Sequence, residues 1–299
     1  MTEALNETLL VTGAGGQLGR KAIEELLERG ARHVVATTRD PARIADLAAR
    51  GVDVREADFD RPETLGTAFK GVDRILLIST DTLHTPGWRL QQQRAAVKAA
   101  VESDVRHVVY TSLPFPHPTA ESSIPDDHFW TEVALMESRL DWTMLRNNMY
   151  QDAIVMFAKQ AIQSGRLITA TGTAGRSYVS RDDCARTAAG ALLIGSGREI
   201  HDVTGPVALT QNELAAELSA LAGKLITHQS VTPEELERNA LAGGMPPFWA
   251  RVFYHFDVDT AQGYHGTVTP AVERFSGRKP ISPIDFLRGQ GEEIIRMAA

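Results

Sequence analysis

The chain has 299 residues, room for one large α/β domain or a core domain with a smaller one attached. Its formal net charge of −7 and the lack of a long basic run disfavour nucleic-acid binding through a broad electrostatic patch. The single cysteine, Cys184, excludes an internal disulfide and a cysteine-rich metal site, and fits a reducing cytoplasm.

The first residues, MTEALNETLL, show no basic region followed by an apolar stretch, so no signal peptide is expected. No window approaches ~18 uninterrupted apolar residues, so no membrane span is expected either. The expectation is a cytoplasmic protein, monomeric or homodimeric, whose partner is a small molecule rather than nucleic acid.

In chain order, short β-rich runs alternate with longer helical patterns. The runs are TLLVT (8–12), HVVATT (33–38), VDVREAD (52–58), RILLIS (74–79), HVVYTS (107–112) and WTMLRNN (142–148). Most lack period-2 alternation, as expected of strands buried on both faces of a parallel sheet. Helical stretches such as QLGRKAIEELLERG, closed by Gly30, lie between them. The alternation predicts βαβ units in a doubly wound α/β sheet over residues 1–150.

After about residue 150 the rhythm loosens. YQDAIVMFAKQAIQSG predicts a helix ended by Gly165, GTAGRSYV a loop, and SRDDCARTAAGALLIG a helix capped by Ser180. HDVTG predicts a strand and TQNELAAELSALAGK a capped helix. Residues 151–299 are expected to form mainly a smaller α+β lobe that binds substrate, with 166–205 returning to the core.

The first strand runs into GAGGQLG and then a helix. Gly13 permits a tight turn, Gly16 lets backbone approach a pyrophosphate, and Gly19 lets the helix pack closely on the sheet; Gly15 is an extra glycine. The helix start at Gln17 and Leu18 presents unpaired N–H groups and a partial positive charge to a phosphate. The strand–turn–helix context is what gives a glycine triplet weight as a dinucleotide site. About 20 residues on, where an acidic side chain would hold the ribose of NAD, the sequence reads ATTRDPAR. Arg39 there can meet a 2′-phosphate with charge-assisted hydrogen bonds, assisted by Arg43. NADP(H) is therefore favoured, with NAD(H) retained as the second cofactor. Asp40-Pro41 reads better as an N-cap followed by an N1 proline.

Strand ends carry the remaining candidates. Asp58 and Phe59 are placed along an adenine, or else form a polar strand end and a core aromatic. Ser79 and Thr80, and Thr111 with Ser112, end the fourth and fifth strands, where ligands bind in open parallel sheets. Plain turn and cap chemistry is the alternative for these hydroxyls.

These segments resemble the NmrA-like branch of the atypical short-chain dehydrogenases/reductases, above all its NAD(P)H:quinone oxidoreductase members. The likeness is carried by VTGAGGQLG, TTRDPAR, GVDVREADFDRPETLGTAFKGVDRILLIS, VVYTSL, DWTMLRNNMYQDAI, RDDCARTAAGALL and VTGPVALTQNELAAELSALAGK. Segment 232–265 matches least, and Gly15 stands where the family usually has Thr. The resemblance implies a Rossmann core, a small C-terminal lobe with a substrate cleft between them, and NADPH preference through Arg39. It also implies that the segment after the sixth strand borders nicotinamide and substrate, which maps onto Asn147, Asn148, Met149 and Tyr150.

Many short-chain dehydrogenases use Tyr-x-x-x-Lys on the helix before the last core strand to move a proton. Four residues after Tyr110, Tyr150, Tyr178, Tyr254 and Tyr264 stand Pro114, Ile154, Asp182, Val258 and Val268. In HFWTEVALMES (128–138), Phe129 and Val133 fall nearest the dyad positions. A quinone needs less acid–base help, because the oxyanion left after hydride arrival is a stabilised phenolate. Water, Tyr150 or His128 can then supply the proton, and positioning of the two rings is most of the task. The expected activity is thus quinone reduction, or reduction of another aromatic, C=C or C=N acceptor; a silent NADP sensor is the alternative. No His/Cys/carboxylate spacing suggests a metal, and GSG at 195–197 lacks the spacing of a nucleophile elbow.

Overall fold

The computed structural model describes residues 4–119 and 123–298. The strands are β1 (Thr8–Val11), β2 (His33–Thr38), β3 (Asp53–Glu56), β4 (Arg74–Leu77), β5 (His107–Ser112), β6 (Asp141–Asn147), β7 (Arg166–Thr169), β8 (Gly175–Arg176), β9 (Arg198–Val203), β10 (Leu209–Thr210) and β11 (Thr227–Ser230). The helices are α1 (Gln17–Glu28), α2 (Ala45–Ala48), α3 (Glu63–Phe69), α4 (Trp88–Glu102), α5 (Ile124–Glu137), α6 (Asp152–Ser164), α7 (Arg181–Ile194), α8 (Gln211–Ala222), α9 (Pro233–Ala242), α10 (Pro247–Ala261), α11 (Ala271–Ser276), α12 (Pro283–Gly289) and α13 (Gly291–Ala298).

The chain divides into two compact units. The first comprises Met1–Asn147, Asp182–Val203 and Ala271–Arg278. It holds a seven-stranded sheet in the order β3-β2-β1-β4-β5-β6-β9, with every neighbouring pair parallel. The strand order reverses between β1 and β4, so the crevice at their carboxyl ends is where this Rossmann topology receives a ligand. All six residues of β5 are buried, which explains its unbroken apolar character. Leu10, Ile75, Val108, Met144 and Phe69 belong to one continuous core.

The return to this unit is narrower than 166–205. Only 182–203 comes back, and a short third segment, 271–278, joins it. Gly190 of α7 makes that junction close: a Cβ there would lie 1.9 Å from the Phe275 carbonyl oxygen. Arg29 donates to the Phe275 and Ser276 carbonyls at 3.0 Å each.

The second unit comprises Asn148–Arg181, Thr204–Pro270 and Lys279–Ala299. Its core gathers Ile154, Ala158, Leu167, Tyr178, Leu214, Leu218 and Ile294. Helix α6 ends on Gly165 at φ 72°, and α8 opens with a capping box in which Thr210 and Glu213 satisfy each other's backbone N–H. Segment 172–179, expected as a loop, instead contributes β8 to an antiparallel pair with β10. Val179 also bridges Tyr150 in parallel. Among the described residues no helix is long and apolar enough to cross a membrane.

Candidate functional site

Beyond β1 the chain turns at Gly13 (φ 63°), where the Gly16 N–H donates to the Gly13 carbonyl at 2.9 Å. Gly16 is the N-cap of α1 and has no side chain to cap it, so the first N–H groups of the helix are offered to a ligand. A Cβ on Gly19 would lie 2.4 Å from the Gly13 oxygen, so this turn closes only over glycine. Gly15 is different: a Cβ there would stand 3.5 Å from Thr38 Oγ1, an ordinary contact. Gln17 is exposed, whereas Leu18 turns its side chain into the core. Thr12 secures the loop from below, donating to the Leu76 carbonyl at 3.2 Å and accepting from the Ile78 N–H at 2.9 Å.

The other candidates in this unit lie at or just beyond the carboxyl ends of the same strands. Arg39 follows β2, is exposed, and makes no hydrogen bond or ion pair among the described residues. Asp40 caps the 3-10 turn that starts at Pro41, its carboxylate accepting from the Ala42 N–H at 3.1 Å. Asp58 shapes the loop after β3, accepting from the Asp60 N–H at 3.0 Å and Arg61 Nε at 3.1 Å. Phe59 packs against the core. Thr111 Oγ1 accepts from the Ser79 N–H at 2.9 Å and donates to Ser79 Oγ at 3.3 Å. Asn147 ends β6 buried, and its side-chain oxygen has no hydrogen-bond partner. A buried amide oxygen left this way fits a donor supplied by a bound group. The uncapped helix start, the glycine cradle and Asn147 together fit a dinucleotide.

Several residues around the site carry no motif. Asp60 accepts from Trp88 Nε1 at 2.7 Å and Gln92 Nε2 at 2.6 Å, while Gln92 Oε1 accepts from Thr80 at 2.7 Å. The Trp88 and Gln92 hydrogen bonds, helped by the charge of Arg39, hold the Asp60 carboxyl below its usual range. Arg89 Nε donates to the Thr80 carbonyl at 2.6 Å, which fixes the loop carrying Ser79 and Thr80. A signal existed: Arg89, Gln92 and Gln93 are polar at helical spacing and all three are buried on α4.

His128 lies in α5 and is enclosed by its own hydrogen-bond partners. It is 4% exposed, with Nδ1 2.8 Å from the Tyr110 hydroxyl and Nε2 2.8 Å from Arg89 Nη2. Tyr110 donates its proton to Gln93 Oε1 at 2.6 Å, so Nδ1 carries the imidazole proton and Nε2 accepts from Arg89. Burial, and then the Arg89 charge, push the His128 pKa well below its ordinary value. The expectation of a proton source is corrected to a neutral structural histidine. Helix α5 turns a second polar group inward: Glu132 accepts from Ser112 Oγ at 2.7 Å and from Arg146 at 3.0 and 2.6 Å. Phe129 and Val133 are half-buried.

Asn148, Met149 and Tyr150 fall in the second unit. Asn148 is buried and spent internally: Nδ2 donates to Ser177 Oγ at 2.8 Å and the His265 carbonyl at 3.1 Å, and Oδ1 accepts from the Met149 N–H at 2.8 Å. Its expected substrate contact is therefore replaced by a structural role. Met149 lines a cavity. Tyr150 is half-buried, with the Arg181 guanidinium 4.4 Å from its ring centre. Among the described residues no cluster of three or more His, Cys, Asp or Glu could hold a metal.

Comparison with known proteins adds a context. Residues 13–193 match a family model described as NAD(P)H-binding. Quinone oxidoreductase 2 of Escherichia coli (strain K12) is 33% identical over 257 residues, 85% of this chain and 88% of that protein. An NAD(P)H azoreductase of Xenophilus azovorans is 28% identical over 281 residues, covering 94% of this chain and 96% of that protein. The crystal structure of an NADPH-dependent quinone oxidoreductase from Escherichia coli, complexed with NADPH, superimposes with a TM-score of 0.87 at 29% identity, covering 94% of this chain and 99% of that one.

Proposed function

The chain belongs to the NAD(P)H-binding family and is an NAD(P)H-dependent oxidoreductase, and on that premise we propose that it reduces quinones or similarly conjugated neutral acceptors, with NADPH preferred. The overall change is quinone plus NADPH plus a proton giving hydroquinone plus NADP⁺. The bound nicotinamide supplies the hydride. The α1 N-terminus holds the pyrophosphate, Arg39 meets the 2′-phosphate, and the Asn147 side-chain oxygen accepts from the nicotinamide end. Asp58 and Phe59 border the adenine, while Ser79, Thr80 and Thr111 leave room for ribose.

One observation carries the choice of chemistry. By distance along the sequence, Phe129 and Val133 of α5 fall nearest the positions of a Tyr-x-x-x-Lys dyad, and the Ser112 hydroxyl at the end of β5 is already committed to Glu132. An acceptor whose reduced oxyanion is weakly basic suits such a site, because water or Tyr150 can protonate it after hydride transfer. Met149 and Tyr150 border the acceptor ring in this reading. The relative named as an azoreductase supports conjugated acceptors beyond quinones. The test is NADPH oxidation with benzoquinones, naphthoquinones and an azo dye. Steady turnover with at least one is expected; clear NADPH binding without turnover on any of them would end the quinone reading.

A further inference from the structure

The second unit has a partly open cavity of about 480 Å³, lined only by residues of that unit. Its apolar wall includes Met149, Phe157, Leu236, Met245, Phe253 and Phe256. All six are half-buried, and Met149 and Phe157 also pack against the core of this unit. The Phe157 and Phe253 rings meet edge to face at 5.2 Å, which leaves the wall ordered.

Helix α9 gives an independent observation. It contains no buried residue, although Leu236 and Ala240 stand one turn apart on one face and both line the cavity. A surface helix ordinarily buries such a face. Here the volume beneath it is what remains to be filled.

The charge of the wall restricts what fills it. Arg176 and Asp257 are both buried and paired with each other. Arg176 Nε donates to Thr260 Oγ1 at 2.7 Å, and Asp257 accepts from the Ala170 N–H at 2.6 Å. The pair is thereby satisfied and asks for no counter-ion. Arg166, the other charged lining residue, is exposed to solvent. The volume lies within the range of sites for drug-sized ligands, more than a single small ring fills.

We propose that this cavity takes a neutral hydrocarbon chain carried by the substrate ring, so that the preferred acceptors are quinones with an apolar tail. The link to the ring is Met149, which the quinone reading sets beside the acceptor and which is part of the cavity wall. The assignment rests on the quinone reading for the ring and on the cavity for the tail.

The test is calorimetric binding to the full chain saturated with NADP⁺, using 1,4-benzoquinones that bear methyl, pentyl or decyl groups. Each methylene moved from water into an apolar cavity tightens binding by up to about fourfold, and at least about tenfold is expected between methyl and decyl. Ala240→Trp should fill the volume from α9 and remove most of that gain. In the wild type, n-decanol should compete with the decyl compound and not with the methyl one, a readout independent of any variant. Equal affinities along the series, or a decyl gain untouched by both Ala240→Trp and n-decanol, would overturn the proposal. Chain-dependent binding without NADPH oxidation would leave the cavity assignment standing and remove the quinone reading; turnover without chain dependence would do the reverse.

Discussion

The Tyr110 hydroxyl stands 2.8 Å from His128 Nδ1 and donates its own hydrogen bond to Gln93, which leaves the histidine neutral, buried and bonded at both ring nitrogens. Proton supply and structural support are thus assigned to different residues. His128→Gln should cost about 1–3 kcal/mol of stability, through unsatisfied partners, while turnover per folded molecule stays near wild type. Tyr150→Phe should leave NADPH affinity unchanged and lower turnover. Denaturant melts alongside steady-state rates separate the two, and unchanged turnover in Tyr150→Phe would remove it as proton source.

The glycine turn predicts opposite outcomes at two positions. Gly19→Ala drives a Cβ to 2.4 Å from the Gly13 oxygen, so backbone must shift. NADPH affinity should fall at least about tenfold, with roughly 1–3 kcal/mol lost in stability. Gly15→Thr meets only an ordinary contact with Thr38. Affinity should stay within about threefold of wild type, as for a neutral surface change. Equal losses at both positions would contradict the cradle geometry.

Arg39 has no hydrogen-bond partner among the described residues and is available to a phosphate. Arg39→Ala should weaken NADPH binding by roughly tenfold to a hundredfold, the worth of charge-assisted hydrogen bonds, and leave NADH nearly unaffected. Titrating both cofactors decides this, since matched losses would mean that Arg39 does not read the 2′-phosphate.

Acid should destabilise the protein early. Burial pushes His107 and His265 down to about 3, with Arg74 adding to the effect on His107 and Arg176 to that on His265. Unfolded histidine titrates near 6.5, so between that pH and about 3 the unfolded chain binds protons that the folded chain refuses. Stability is full above about pH 6.5 and falls as pH drops through this window, by about 2 kcal/mol for each histidine at pH 5. Urea midpoints from pH 7.5 to 5 measure it, and a flat profile would show that both rings protonate without unfolding.

Strands such as β5 were legible because burial on both faces leaves an unbroken apolar run in the sequence. The two-residue strands β8 and β10, and the largely exposed β11, were not, since their pairing leaves no period to read. The glycine loop was legible because the turn constrains residue type directly. The role of Asn148 was hidden because its partners lie at Ser177 and His265, 29 and 117 residues away. His128 was misread for the same reason: Arg89, 39 residues earlier, supplies the contact that makes its burial tolerable.

The second return of the chain to the sheet unit bears on how the protein is made. Arg29 in the first βαβ segment is bonded to carbonyls 246 and 247 residues later, and the sheet's outer strand β9 begins only at Arg198. A nascent chain on the ribosome can build β1 to β6 early, yet it cannot finish that unit until residue 278 has emerged. From the completion of β6 at Asn147 until β9 has emerged at Val203, the nucleotide-binding half therefore has an open sheet edge beside β6, the interval in which a chaperone has something to protect.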